Sequence, residues 1–174
     1  MNRHIIIPAI AGDGSLYPVE KLDAHVRGLL HLAISVFVFD GDDLLIQRRA
    51  ATKYHCAGQW ANTCCSHPHW EEDVAVCAGR RLQEELGFTV PLTRHETVEY
   101  EASVGEGLSE HERVTLFSAQ VDRRSLALQP NPEEVDAIRW ISPADLHREV
   151  ASDPQAFTPW LRIYLERFPD LKFA

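Results

Sequence analysis

From Leu32 to Phe39 the chain reads LAISVFVF, a run of β-branched and aromatic residues, and Asp40-Gly41 interrupts it before Leu44-Leu45-Ile46. Residues that fit a pleated surface on both sides of a glycine-containing turn predict a β-hairpin. Between Glu71 and Leu86 the period changes. Val74, Ala78, Leu82 and Leu86 recur every four residues, which stacks them on one face of a helix, and Gly87 follows as a stop. Glu71, Glu72 and Asp73 fall in its predicted first turn, where they oppose the positive end of the helix dipole. Further strands are expected over 98–102, 113–121 and 137–141, the second long and the last short. Ser142-Pro143 and Thr158-Pro159 announce two late helices, each pairing an N-cap hydroxyl with a residue that has no N–H to satisfy. This order predicts an α/β (α+β) fold, a mixed β-sheet packed between α-helices.

A chain of 174 residues, 45% hydrophobic, is long enough for one sizeable core and short for two. With no repeat or linker to divide it, we expect a single domain over 1–174 with its core at roughly 30–150. Seventeen Lys and Arg against 26 Asp and Glu give a net charge of −9. That field repels nucleic acid and anionic membrane surfaces, so neither is an expected partner, and an anionic substrate must meet a local basic cluster. Ile5-Ile6-Ile7 before Pro8 is far shorter than a signal-peptide core or a membrane span, which predicts a cytoplasmic protein. Cys56, Cys64, Cys65 and Cys77 are then expected as reduced thiols.

Within the predicted helix and the loop before it, Glu72, Arg80, Glu84, Glu85 and Gly87 fall at the spacing of a Nudix box, whose helix holds a divalent cation against a diphosphate. Two positions depart from that box: Ser66 stands where it has Gly, and Arg81 where it has a metal-binding Glu. Losing a carboxylate weakens multi-magnesium chemistry, while a guanidinium one turn before Glu85 can pair with phosphate oxygens. The same residues read equally as a solvated helix face with ion pairs at spacing three and four. His25, His31, His67, Glu110 and Glu112 are ordinary residues one by one. As a set of three imidazoles and two carboxylates they suit a five- or six-coordinate ion such as manganese, whereas tetrahedral zinc needs fewer ligands. Glu110 and Glu112 share a face if their segment is extended, with His111 pointing away.

Trp60-Ala61-Asn62-Thr63-Cys64-Cys65-Ser66-His67-Pro68 resembles the type 1 isopentenyl-diphosphate isomerases of the Nudix superfamily. The similarity runs from Lys21 and Ala24-His25, through Gly28-Leu29-Leu30-His31, Gln47-Arg48-Arg49-Ala50 and Lys53-Tyr54-His55, to Glu110-His111-Glu112 and Phe157-Thr158-Pro159-Trp160. One local difference is a gap from His25 to His31 that is one residue shorter than in some of those enzymes, a change that would cost the site a ligand if it displaced His25.

The resemblance implies a Nudix-like fold with an N-terminal metal-ligand segment and a C-terminal helix. It also implies a reaction that protonates isopentenyl diphosphate at carbon and deprotonates the resulting tertiary carbocation to dimethylallyl diphosphate. It makes Cys65 and Glu112 the acid/base pair, with Tyr100 beside Glu112 and Trp160 facing the cation. Manganese, magnesium or zinc would sit among His25, His31, His67, Glu110 and Glu112. Lys21, Arg49, Lys53 and Arg81 would clamp the diphosphate, with magnesium bridging it to Glu85. Cys64, its neighbour in the same loop, is given no role. Two other readings stand beside this one: a Nudix pyrophosphohydrolase acting through metal-activated water, and a non-catalytic protein that binds prenyl diphosphates or metal.

Overall fold

The structure, a computed structural model, describes residues 4–174. Its axis is the strand His31–Asp40, here β3, since two earlier strands, β1 (Ile6–Ile10) and β2 (Leu16–Glu20), precede it. Along one edge, β3 pairs in parallel with β8 (Leu108–Gln120), from His31 opposite Glu112 to Phe39 opposite Gln120. Its other edge is shared by three antiparallel partners. β1 meets it at His31, β6 (Cys64–Ser66) across Ile34–Val36, and β4 (Asp43–Arg49) at Phe39 and Asp40. β4 then splays away to pair with β5 (Trp60–Ala61) and β9 (Val135–Ile141), and β7 (Thr93–Gly105) lies antiparallel on β8.

Splaying β3 from β4 would orphan backbone groups, and two buried polar residues of the intervening segment satisfy them. Thr63 Oγ1 accepts from the Val38 N–H (2.9 Å) and donates to the Leu45 carbonyl (2.6 Å). Asn62 donates its amide to the carbonyls of Val36 (3.0 Å) and Cys64 (3.3 Å). This fixes the strand that carries Cys65.

Alternation along β3 divides the core between two helical layers. Ile34, Val36 and Val38 pack with Ala78, Leu82 and Leu86 of α2 (Val74–Leu86), whereas Ala33 and Phe37 pack with Trp160, Leu161 and Tyr164 of α4 (Pro159–Arg167). A sheet between helices is what the element order predicts. Ser142 and Thr158 cap α3 (Pro143–Ser152) and α4, their hydroxyls accepting from the N–H groups of Asp145 and Leu161, each cap worth about 1 kcal/mol. Gly87 ends α2 with φ 78, where a Cβ would lie 2.7 Å from the Gln129 carbonyl oxygen. Any side chain there would strain the helix exit.

Two expectations are corrected, and a hairpin appears where none was expected. α2 begins at Val74, not Glu71: Asp73 is its N-cap and accepts from Ala75 and Val76, so Glu71 and Glu72 precede the helix and its first turn holds no acid. The strands expected at 98–102 and 113–121 are 13 residues each, so Glu110 and Glu112 lie within β8 rather than before it. The apolar run ending at Pro8 enters a hairpin, β1 with β2, in which Pro8 faces Pro18. From β2 the chain passes into a short helix, α1 (Lys21–Arg27), which periodicity did not predict.

Candidate active site

α1 and β3 deliver the first two histidines. Gly28, in the left-handed region at φ 63, turns the chain off α1 so that His25 and His31 meet with ring centroids 5.0 Å apart. The short gap therefore keeps His25 in place. Both rings are fully buried, and each directs Nδ1 at a backbone carbonyl: His25 at Lys21 (2.6 Å) and His31 at Leu29 (2.7 Å). A carbonyl only accepts, so Nδ1 carries the proton and each Nε2 presents a bare lone pair to the interior.

β8 supplies the carboxylates. Glu110 and Glu112 point inward, both buried, while His111 turns outward to the Gly28 carbonyl. His67, just after β6, places Nε2 2.7 Å from Glu112 Oε1 and 3.9 Å from Glu110 Oε2. One ligand atom from each of His25, His31, His67, Glu110 and Glu112 lies within 4.8 Å of the others. Nε2 of His25 and of His31, and Oε2 of Glu110, have no hydrogen-bond partner despite burial. Unmet lone pairs and two buried carboxylates fit a divalent cation.

A single cleft beside this cluster is lined by Lys21, Arg49, Lys53, Cys65, His67, Arg81, Glu85, Tyr100, Glu110, Glu112 and Trp160. The structure brings the acid/base, clamp and His/Glu residues expected from the sequence to the cleft or to the cluster, whereas Glu72, Arg80 and Glu84 of the Nudix-box pattern lie outside both. Cys65 donates its thiol proton to Asn62 Oδ1 (3.0 Å), whose amide is committed to backbone carbonyls, and contacts Ser35 Oγ (3.2 Å). Ser35 in turn meets the Tyr164 hydroxyl (2.7 Å). Burial pushes the Cys65 thiol up to about 12 against these hydrogen bonds, so it is protonated at neutral pH. Tyr100 donates to Glu112 Oε2 (2.8 Å). Burial and then the neighbouring Glu110 carboxylate push Glu112 upward.

The basic side of the cleft differs in detail from the free clamp that the sequence suggests. Arg81 holds Glu84 and Glu85 at 2.6 Å each and reaches Glu134 at 3.5 Å, and Lys53 holds Glu134 at 2.5 Å. Glu85 also accepts from Gln47 (2.8 Å). Arg49 donates to the His55 carbonyl (3.3 and 3.2 Å) and lies over the Trp160 ring, 5.3 Å from its centroid. Burial, then the charges of Lys53 and Arg81, lower Lys21 to about 8. Sequence reasoning gave no role to His55, Asn62, Ser35, Gln47 or Glu134. Asn62 and His55 stand inside the quoted motifs, but the partners that give them meaning are distant in the chain.

The fold and the cleft define the class: the family model of the NUDIX domain matches residues 29–161. A Deinococcus radiodurans protein of known crystal structure superposes over 93% of this chain and 98% of its own with TM-score 0.71 at 14% identity. A MutT NUDIX hydrolase from Burkholderia pseudomallei does so over 80% and 98% with TM-score 0.62 at 23% identity. Such identities speak for the fold alone. Sequence relatives are more specific. Isopentenyl-diphosphate Delta-isomerase from Cereibacter sphaeroides (strain ATCC 17029 / ATH 2.4.9) is 58% identical over 88% of this chain and 86% of its own length. The protein of the same name from Ruegeria pomeroyi is 53% identical over 98% and 94%. The chain belongs to the NUDIX family and, within it, to the isopentenyl-diphosphate Delta-isomerases.

Proposed function

We infer that this chain interconverts isopentenyl diphosphate and dimethylallyl diphosphate, with Cys65 and Glu112 as its acid/base pair. The observation that carries the reading is one cleft in which a protonated thiol and the buried Glu112 carboxylate share walls with Lys21, Arg49, Lys53 and Arg81. The cations recognise the diphosphate by charge and hydrogen bonds, leaving the five-carbon chain against Cys65, Tyr100, Glu112 and Trp160.

One member of the pair adds a proton to the terminal methylene carbon, whose π electrons form the new C–H bond and leave a tertiary cation at the adjacent carbon. The other removes a proton from the methylene on the far side of that centre, and the released electron pair closes the new double bond. No bond to phosphorus changes. Asn62 and Ser35 hold the thiol, Tyr100 holds Glu112, and the face of Trp160 stabilises the developing cation, a contact worth about 2 kcal/mol when desolvated.

His25, His31, His67, Glu110 and Glu112 would hold manganese, or magnesium or zinc in its place, and Glu85 would hold magnesium brought with the diphosphate. An ion there would supply the positive charge that two buried carboxylates side by side require. Arg81 supports proton transfer over hydrolysis, because it neutralises Glu84 and Glu85, the carboxylates with which a Nudix hydrolase would gather further cations.

The test is to incubate the protein with isopentenyl diphosphate, magnesium and manganese in deuterated water and to follow hydrogen and phosphorus by NMR. Dimethylallyl diphosphate carrying carbon-bound deuterium, its diphosphate intact, is the expected product. Released phosphate would establish hydrolysis instead, and unchanged substrate on the folded, metal-loaded protein would leave a binding role.

A further inference from the structure

We infer that His55 is a positioning residue for the cation site: its Nε2–H holds one oxygen of Glu110 and thereby aims the other at the ion. This inference rests on the reading of the His/Glu cluster as a cation site.

His55 lies in the loop between β4 and β5, is 7% exposed, and places Nε2 2.8 Å from Glu110 Oε1. A carboxylate oxygen accepts, so the nitrogen that faces it carries the proton. The opposite nitrogen, Nδ1, has no partner. His25 and His31 are protonated the other way round, with Nδ1–H on a backbone carbonyl and Nε2 bare. Of the four buried rings, His25 and His31 offer Nε2 lone pairs to the centre, while His55 and His67 each set Nε2 against a carboxylate oxygen. His67 nevertheless belongs to the group whose ligand atoms lie within 4.8 Å of one another, and His55 stands outside that group, hydrogen-bonded only to Glu110 of its members.

That bond solves a local problem of geometry. Glu110 Oε1 is 3.3 Å from His25 Nε2, and its carboxylate has no Tyr partner like the one Tyr100 provides for Glu112. Without a fixed donor the group can rotate about its last bond and present either oxygen. His55 selects Oε1, leaving Oε2 unpartnered and on the side of His67. The loop is anchored in turn, because Arg49 binds the His55 carbonyl oxygen and Arg49 and Gln59 pair through their backbones (2.9 Å). Outer-shell hydrogen bonds of this kind set ligand orientation, and their loss costs roughly 10–100-fold in metal affinity.

The experiment titrates metal-stripped protein with Mn2+ against a chelating dye, for wild type, His55→Phe and His55→Gln. The expected result is a roughly 10–100-fold weaker Mn2+ affinity in His55→Phe, largely restored in His55→Gln, whose amide N–H can donate in the same direction, with kcat at saturating Mn2+ changed far less. Wild-type affinity in His55→Phe overturns the inference. Should that variant fail to fold, wild-type protein carrying 15N-histidine and loaded with 113Cd2+ decides by NMR. His25, His31 and His67 should show coupling to cadmium, and His55 none while retaining its Nε2 proton. Cadmium coupling at His55, or a missing Nε2 proton, overturns positioning. A wild-type protein that takes up neither ion overturns the cation site, and this inference with it.

Discussion

The α2 region and the His/Glu cluster both gather carboxylates, from the exposed Glu84 to the buried Glu85 in the first and both buried in the second, yet they are neutralised in different ways. On α2 the chain brings its own cations: Arg80 pairs with Glu72 (2.7 and 2.9 Å) and Glu84 (3.2 Å), and Arg81 with Glu84 and Glu85. In the cluster, Glu110 and Glu112 face imidazoles, and no Lys or Arg lies within ion-pair distance of either among the described residues. Carboxylates that an arginine already holds have little to offer a free metal ion, and Glu85 would take one only when a diphosphate shares its coordination, whereas buried carboxylates beside bare imidazole nitrogens need an ion of their own. Arg81, at a position where the Nudix box has Glu, is the residue through which α2 differs from a hydrolase helix.

The largest effects belong to the cleft between the two regions. Cys65→Ala and Glu112→Gln should each lower kcat by about 10³-fold or more, since a positioned acid or base contributes 10²–10⁴. Cys64→Ala should retain activity within a few-fold, because its side chain packs under α2 instead of lining the cleft. Equal losses at both cysteines in a steady-state assay, with thermal unfolding checked alongside, would remove the assignment of Cys65. Next in size, His25→Ala should weaken Mn2+ binding by more than the roughly 100-fold that an outer-shell loss costs, measured by competition with a chelator.

Arg81→Glu bears on the comparison directly. It removes a cation from the cleft and releases Glu84 and Glu85, so KM for the diphosphate should rise about 10–30-fold, the worth of a charge-assisted hydrogen bond. An unchanged KM would show that Arg81 serves only its own helix. Lys21 gives a pH signature. Its ammonium binds the diphosphate only when protonated, and in the free protein it is lowered to about 8, so kcat/KM should fall as pH rises through that value. Lys21→Arg should carry the falling limb to higher pH. The smallest effect is expected from Glu72→Gln, which breaks a half-buried pair with Arg80. It should cost about 1–2 kcal/mol in thermal unfolding and leave cation affinity unchanged.

What could be read in the sequence divides along the same physical line. β3, β4, α2 and the two capped helices are legible because their signals are local: a β-branched run, a four-residue period, a hydroxyl before proline. β1 and β2 are not, because Pro8 and Pro18 argue against strands and are tolerated only by facing each other at the sheet margin. The start of α2 was misplaced because three consecutive acids look alike in sequence, and only Asp73 has its side chain on the helix amides. The metal and cleft residues were found by resemblance, since nothing local distinguishes His25 from His147. His55 carries no local signal, because its meaning depends on Glu110, 55 positions away. Four-residue spacing is enough to put Arg81 beside Glu85, but its commitment to Glu84 and Glu134 emerges only in the folded chain.

The most direct measurement is the anomalous diffraction of manganese in crystals grown with Mn2+ and no diphosphate. The peak should lie among His25, His31, His67, Glu110 and Glu112, with none at Glu72, Glu84 or Glu85 of the α2 region. A peak at those α2 carboxylates with the His/Glu cluster empty would reverse the comparison and return the protein to the chemistry of a Nudix hydrolase.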